Sequence, residues 1–216
     1  NRVRKLDYSI QLNKLMYERF LSGGDISLFS PHAVEGLYEA FYADQDKFER
    51  LYKAAEKDPN IKKKTIPAME LFGSMLKERA ETGRIYLMNV DHANTHSSFK
   101  DTVYMSNLCQ EITLPTKPLT HIDDEEGEIA LCILSAINVG LLKELDDLEE
   151  LCELAVRALD EIIDYQRYPV KAAEISTKRR RSLGVGYIGL AHYLAREGVK
   201  YSDKKALTKV HELSEA

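Results

Sequence analysis

Nothing in the sequence runs apolar for the roughly eighteen residues a membrane-spanning helix requires, so no such span is expected. Its first residues, Asn1-Arg2-Val3-Arg4, do not lead into the apolar stretch of a secretory leader. They lack an initiating Met and lie close to what reads as a helix approach, which predicts a segment taken from a longer polypeptide. Cysteine is scarce, with three in 216 residues and no paired framework, so the thiols fit a reducing compartment, and the cytoplasm is expected. Positive charge is not in excess either. Thirty Lys and Arg stand against 35 Asp and Glu, a net charge of -5, which excludes a general polyanion binder and gives no reason to expect nucleic-acid or membrane partners. There is no internal repeat and no low-complexity tract. What remains is a 44% hydrophobic chain long enough for one or two globular domains with a core.

Apolar residues from Leu6 to Leu21 recur at helical spacing and stop at Gly23-Gly24, predicting an amphipathic helix. Ile26 to Phe29 reads as a short extended piece. Ser30-Pro31 supplies a cap and first-turn proline for a helix through Tyr42, and Asp44 restarts one toward Glu56. Asp58-Pro59 and Lys62-Lys63-Lys64 read as a polar connection to a helix that carries Met69, Phe72, Met75 and Leu76 and ends at Gly83. Arg84 to Val90 reads as a strand, 91–104 as irregular, and Tyr104 to Leu114 as extended. The nearly unbroken apolar run from Glu128 to Ala136 suits a strand covered on both faces. Helices follow from Asp146 to about Tyr165, from Gly189 to Arg196 and from Lys204 to Leu213. The order is helix-rich with a few buried strands, so α/β is the expected fold class.

Ser106-Asn107-Leu108-Cys109-Gln110-Glu111-Ile112 is the most informative stretch. On an extended backbone Asn107, Cys109 and Glu111 share one face at intervals of about 6.5 to 7 Å, gathering an amide, a thiol and a carboxylate. Alternation alone favours the plainer reading, a half-exposed strand with a stray buried cysteine.

The stretch resembles the active-site finger loop of class I ribonucleotide reductases, whose pattern is Ser-Asn-Leu-Cys-x-Glu-Ile. Ala130-Leu131-Cys132 with Leu134-Ser135-Ala136 is similar to the strand bearing one of that family's two reducing cysteines, 23 residues after Cys109. Asp25 to His32, Thr82 to Tyr86, Pro115 to Leu119 and Arg180 to Gly186 agree in order, so the resemblance covers nearly the whole chain. It implies that residues 1–216 are part of the catalytic domain of the large subunit, a ten-stranded α/β barrel with the finger loop at its centre. The N-terminal nucleotide-regulatory domain and the C-terminal part are then absent. By the same resemblance Cys109 bears the thiyl radical that removes the 3′ hydrogen of the substrate ribose, and Glu111 acts as general base on the 3′ hydroxyl. Asn107 orients the substrate hydroxyls, and Cys132 is one half of the dithiol that supplies two electrons. The other half of the dithiol and the radical-relay tyrosines are not in this sequence. Neither cofactor nor metal is expected on the chain itself. The implied partners are a ribonucleoside diphosphate substrate, a metal-containing small subunit that generates the radical, thioredoxin or glutaredoxin as reductant, and the remainder of the large subunit.

Other signals are weaker. Gly184-Val185-Gly186-Tyr187-Ile188-Gly189 has dinucleotide-binding spacing, but the basic run Thr177 to Arg181 precedes it where a buried strand is required, so close helix packing is expected instead. That basic run reads as a solvated face or a contact to an adjoining part of the subunit. Asp91, His92 and His96 lack further ligands at a metal-binding spacing. Cys152 lies among Leu148, Val156, Leu159 and Ile163 at helical spacing and reads as a packed, inert thiol. The rival to the enzyme reading is a non-catalytic helical interaction or scaffold module in which all three thiols are packing groups. A buried Cys109 would favour that rival.

Overall fold

The computed structural model describes residues 6–216, so the expectation placed on Asn1 to Arg4 lies outside the described residues. The chain divides into two compact units, Asn1–Thr116 and Lys117–Ala216.

In the first unit the helix expected from Leu6 is replaced in part by a strand. Tyr8–Leu12 forms β1, which pairs in parallel with β4, Ile85–Asn89, in the register Tyr8 to Ile85 through Leu12 to Asn89. Asn13 sets the boundary. Its backbone is extended, and its side chain accepts a hydrogen bond from the Met16 N–H, so α1 begins only at Lys14 and runs to Leu21. β2, Asp25–Leu28, pairs antiparallel with β3, Lys64–Pro67, a strand formed where a polar connection was expected. Tyr52 supports this pair by donating its hydroxyl to the Ser27 carbonyl at 2.7 Å and accepting from the Ser27 N–H at 2.8 Å. The helix expected from Ser30 to Tyr42 is also broken. Pro31–Ala33 makes a single 3-10 turn, Gly36 adopts a left-handed φ of 75°, and α2 spans only Leu37–Ala43. The Asp44 side chain then caps α3, Gln45–Lys57, as its sequence position predicts. α4, Ala68–Thr82, ends at Gly83 with φ 70° and leads into β4. A short helix, α5, Val90–Thr95, follows β4 in the stretch read as irregular.

Leu12, Ile26, Ala68, Phe72 and Met75 are buried together beneath α1 and α4. Leu15, Leu37, Ala40 and Phe48 form a second buried cluster, and Tyr42, Met88, Val90 and Val103 a third. The third cluster positions the candidate site, because it holds the entry to the Ser106–Ile112 segment.

In the second unit β5, Leu134–Asn138, pairs in parallel with β6, Gly184–Ile188. The helices are α6, Asp147–Tyr165, α7, Lys171–Arg180, α8, Leu190–Arg196, and α9, Lys204–Glu215. The strand expected over Glu128 to Ala136 therefore starts later and is covered on one face only. Ile133 is buried with Leu159 and Ile163 of α6, while Leu134 is 56% exposed. The glycine-rich stretch corrects a second expectation, since most of it is β6 itself and not a helix-packing site. Its last glycine, Gly189, has φ 79°, and a Cβ there would stand 2.5 Å from Asn138 Oδ1, so a side chain is excluded at this turn. The basic run is partly solvated, with Lys178 and Arg179 exposed, and it is also engaged within the second unit. Arg179 and Arg180 reach Glu128, and Arg181 holds Asp160 and Asp164.

The fold is thus mixed helix and strand. Among the described residues the strands make three two-stranded sheets and no closed barrel, in contrast to the ten-stranded barrel that the resemblance implies. No helix among them is long and apolar enough to cross a membrane.

Candidate active site

The loop that carries Asn107, Cys109 and Glu111 is fixed at its root by side chains from distant parts of the first unit. Asn94 of α5 spans the backbone of Val103, accepting from its N–H at 2.8 Å and donating to its carbonyl at 3.0 Å. Gln11 of β1 donates to the Tyr104 carbonyl at 2.7 Å, and the Tyr42 hydroxyl donates to the Gln11 side-chain oxygen at 2.7 Å. Tyr42 also packs edge-on to Tyr104, with ring centroids 5.0 Å apart. Burial first, and the neighbouring Tyr38 second, push the Tyr42 hydroxyl pKa well above its ordinary value, so it stays a neutral donor to Gln11.

Beyond the root the backbone is not the extended segment expected over Tyr104 to Leu114. It folds into a tight loop. The Ser106 hydroxyl donates to the Ile112 carbonyl at 2.5 Å, and the Ile112 N–H donates to Asn107 Oδ1 at 3.1 Å, closing the neck. At the tip the Gln110 N–H donates to the Asn107 carbonyl at 3.2 Å, with Gln110 in the left-handed region at φ 68°. Ser and Asn side chains commonly offer the backbone such local bonds in competition with a strand ladder, and here they prevail. The shared strand face of Asn107, Cys109 and Glu111 is therefore replaced by one short turn that carries all three. Cys109 and Glu111 are exposed, and Asn107 is partly buried. Asn107 spends its side-chain oxygen inside the loop, accepting from the Ile112 N–H with the Ser106 hydroxyl oxygen 3.1 Å away, while its Nδ2 has no partner among the described residues.

An exposed thiol at a loop tip is not a packing group, which removes the main support for the scaffold-module reading. Cys132, in the second unit, is exposed just before β5, whereas Cys152 is partly covered on α6. Among the described residues no three His, Cys, Asp or Glu side chains gather as a metal site requires. A cleft of about 490 Å³ lies in the first unit, lined by Tyr42, Gln45, Asp91, Asn94 and Lys100 among others, and none of the sequence-predicted site residues lines it.

Sequence reasoning missed the root residues Gln11, Tyr42 and Asn94, and it missed Glu128. The Glu128 side chain is 1% exposed and meets three cations: Arg180 Nη2 at 2.7 Å, Arg179 Nη1 at 3.0 Å and Lys117 Nζ at 3.3 Å. Burial pushes its pKa up, but the hydrogen bonds from Arg180 and Lys117 outweigh burial and hold the carboxyl below its ordinary value of 4.5. The only sequence signal was an acid opening an apolar run. Nearby, Asp124 closes the 120–127 turn by accepting from the Thr120 N–H and hydroxyl and from the Glu126 and Gly127 N–H groups, which lowers its pKa strongly.

A family model described as "Ribonucleotide reductase, barrel domain" matches residues 1–216. The chain is 60% identical over its whole length to the ribonucleoside-diphosphate reductase subunit alpha of Haemophilus influenzae, and 58% identical to the ribonucleoside-diphosphate reductase 1 subunit alpha of Escherichia coli. It is 47% identical to the corresponding subunit of Enterobacteria phage T4. It spans 29% of the length of the two bacterial subunits and 28% of the phage subunit. Matched along its whole length by the barrel-domain model and by these alpha subunits, the chain belongs to the ribonucleotide reductase family.

Proposed function

We propose that this chain is the catalytic-core segment of a cytoplasmic ribonucleoside-diphosphate reductase and that the Ser106–Ile112 turn is its finger loop. The observation that carries the reading is the turn itself, which is anchored at its root and exposes Cys109 and Glu111 at its tip in a chain of this family. On this reading the thiol of Cys109 passes its hydrogen atom to a radical that originates in a separate metal-containing small subunit. The resulting thiyl takes the 3′ hydrogen of a ribonucleoside diphosphate. An S–H bond and a sugar C–H bond are comparable in strength, so the same hydrogen can be returned at the end.

Glu111 takes the proton of the 3′ hydroxyl, for which its exposure beside Cys109 suits it. The unpartnered Nδ2 of Asn107 donates to a substrate hydroxyl. Loss of the 2′ hydroxyl as water consumes two electrons and protons, supplied by the thiol of Cys132 and a second thiol outside this chain, which together become a disulfide. Thioredoxin or glutaredoxin then reduces that disulfide. The exposure of Cys132 supports this role, since exchange needs access to sulfur.

The test is a chimera in which these residues replace the matched segment of the Escherichia coli subunit. Reduction of a ribonucleoside diphosphate by the parent chimera is expected, with turnover abolished in Cys109→Ser and nearly unchanged in Cys152→Ser. A serine O–H is too strong a bond to surrender its hydrogen to the radical. Full turnover by the Cys109→Ser chimera would sink the reading.

A further inference from the structure

The tip of the loop breaks two local rules at one residue. Gln110 adopts φ 68°, a left-handed conformation that disfavours any residue with a Cβ and is usually left to Gly or Asn. Its side-chain oxygen is also buried without a hydrogen-bond donor. The amide orientation is not arbitrary. Nε2 lies 3.0 Å from the Asn107 carbonyl and 3.5 Å from the Leu108 carbonyl, and turning the amide over would set oxygen against two oxygens. The nitrogen must face these carbonyls, so the orphaned oxygen is a consequence of the bond the nitrogen makes.

The Asn107 carbonyl therefore receives both the backbone N–H and the side-chain amide of Gln110, a double clasp across the two residues that include Cys109. The neck bonds from Ser106 and Ile112 close the loop below this point but do not touch its tip. A strained, partly unsatisfied residue persists where its surroundings over-determine it, and such residues collect at functional sites. We infer that Gln110 is a positioning residue, whose carboxamide fixes the turn that presents the Cys109 sulfur. The inference rests on the proposed role of Cys109. It assigns Gln110 no contact with substrate.

The experiment uses the same chimera with two variants. Gln110→Met keeps length without the amide, removing the side-chain half of the clasp together with the orphaned oxygen. Gln110→Gly removes the same side-chain bond and the backbone strain. Both are expected to lower kcat by about tenfold to a hundredfold, the scale of an ångström of misplacement at a reacting centre. KM should stay within about twofold, because ground-state binding is untouched. The thermal midpoint should hold or rise, since each variant relieves an unfavourable feature. A structural role alone would instead lower the thermal midpoint and leave kcat per folded molecule intact, and that result overturns the inference. Failure of both variants to fold overturns it too. Parental kcat in both variants beside an inactive Cys109→Ser overturns this inference alone, whereas a fully active Cys109→Ser, or an inactive parent, removes the reading on which it rests.

Discussion

Replacing Glu128 by Gln tests whether one buried carboxylate holds the second unit together. The wild-type side chain is 1% exposed, and Arg180, itself only 14% exposed, places two nitrogens against its Oε2. Arg179 and Lys117 share Oε1, although both are more than half exposed and so weakly coupled. The Arg180 pair dominates, because removing one member of a buried pair strands the other charge. The expected loss is about 3 to 5 kcal/mol, read as a drop in the urea midpoint followed by circular dichroism. The pH dependence has a definite sign. Glu128 is held below 4.5 in the folded state, so its contribution is complete above the unfolded pKa and is lost as pH falls through the folded value. The gap in stability between wild type and Glu128→Gln should therefore be widest near neutrality and narrow as the solution is acidified below the ordinary carboxyl value of 4.5. Glu174→Gln, which removes the exposed pairs with Lys171 and Lys178, serves as the control and should change little. A Glu128→Gln protein within about 1 kcal/mol of wild type at pH 7 would refute the argument, as would a gap that widens in acid.

Asn13 is fully buried, caps α1 and donates to Gln45 Oε1 at 2.8 Å, so Asn13→Ala should destabilise the chain by about 1 to 2 kcal/mol in the same urea assay. Limited alkylation of the 216-residue chain followed by peptide mapping should label Cys109 and Cys132 ahead of Cys152, which is only partly accessible. Preferential labelling of Cys152 would contradict the exposure on which the site is built.

The elements that sequence made legible are those whose ends are set by neighbouring residues. α3 begins where the Asp44 side chain caps it, α4 stops at a left-handed Gly83, and α6 shows its buried stripe of Leu148, Leu159 and Ile163. Elements that depend on distant partners were not legible. Tyr8–Leu12 has residues at helical spacing but joins β4, and the gain from pairing and burying Leu12 overrides a pattern with no intrinsic claim on either period. Lys64–Pro67 looks like a connection because three of its four residues are largely exposed. It is a strand because β2 supplies the ladder.

The candidate site divides along the same line. The residue types on which the proposed chemistry rests were legible, because thiol, amide and carboxylate are present in the sequence whatever the backbone does. Its shape was not, because the alternation argument assumed an extended chain and ignored the competing bonds that Ser106 and Asn107 carry with them. A left-handed Gln110 has no sequence signature either, since the residues that announce such a turn are Gly and Asn. The deeper gap lies at the root. Gln11, Tyr42 and Asn94 are ordinary polar residues in ordinary places, and each becomes part of the site only when β1, α2 and α5 converge on Val103 and Tyr104. The residues proposed for the tip can be read from a short motif. The precision with which it is held depends on contacts between elements far apart in the chain, so substitutions at these root residues should disturb the loop without touching any residue that the motif names.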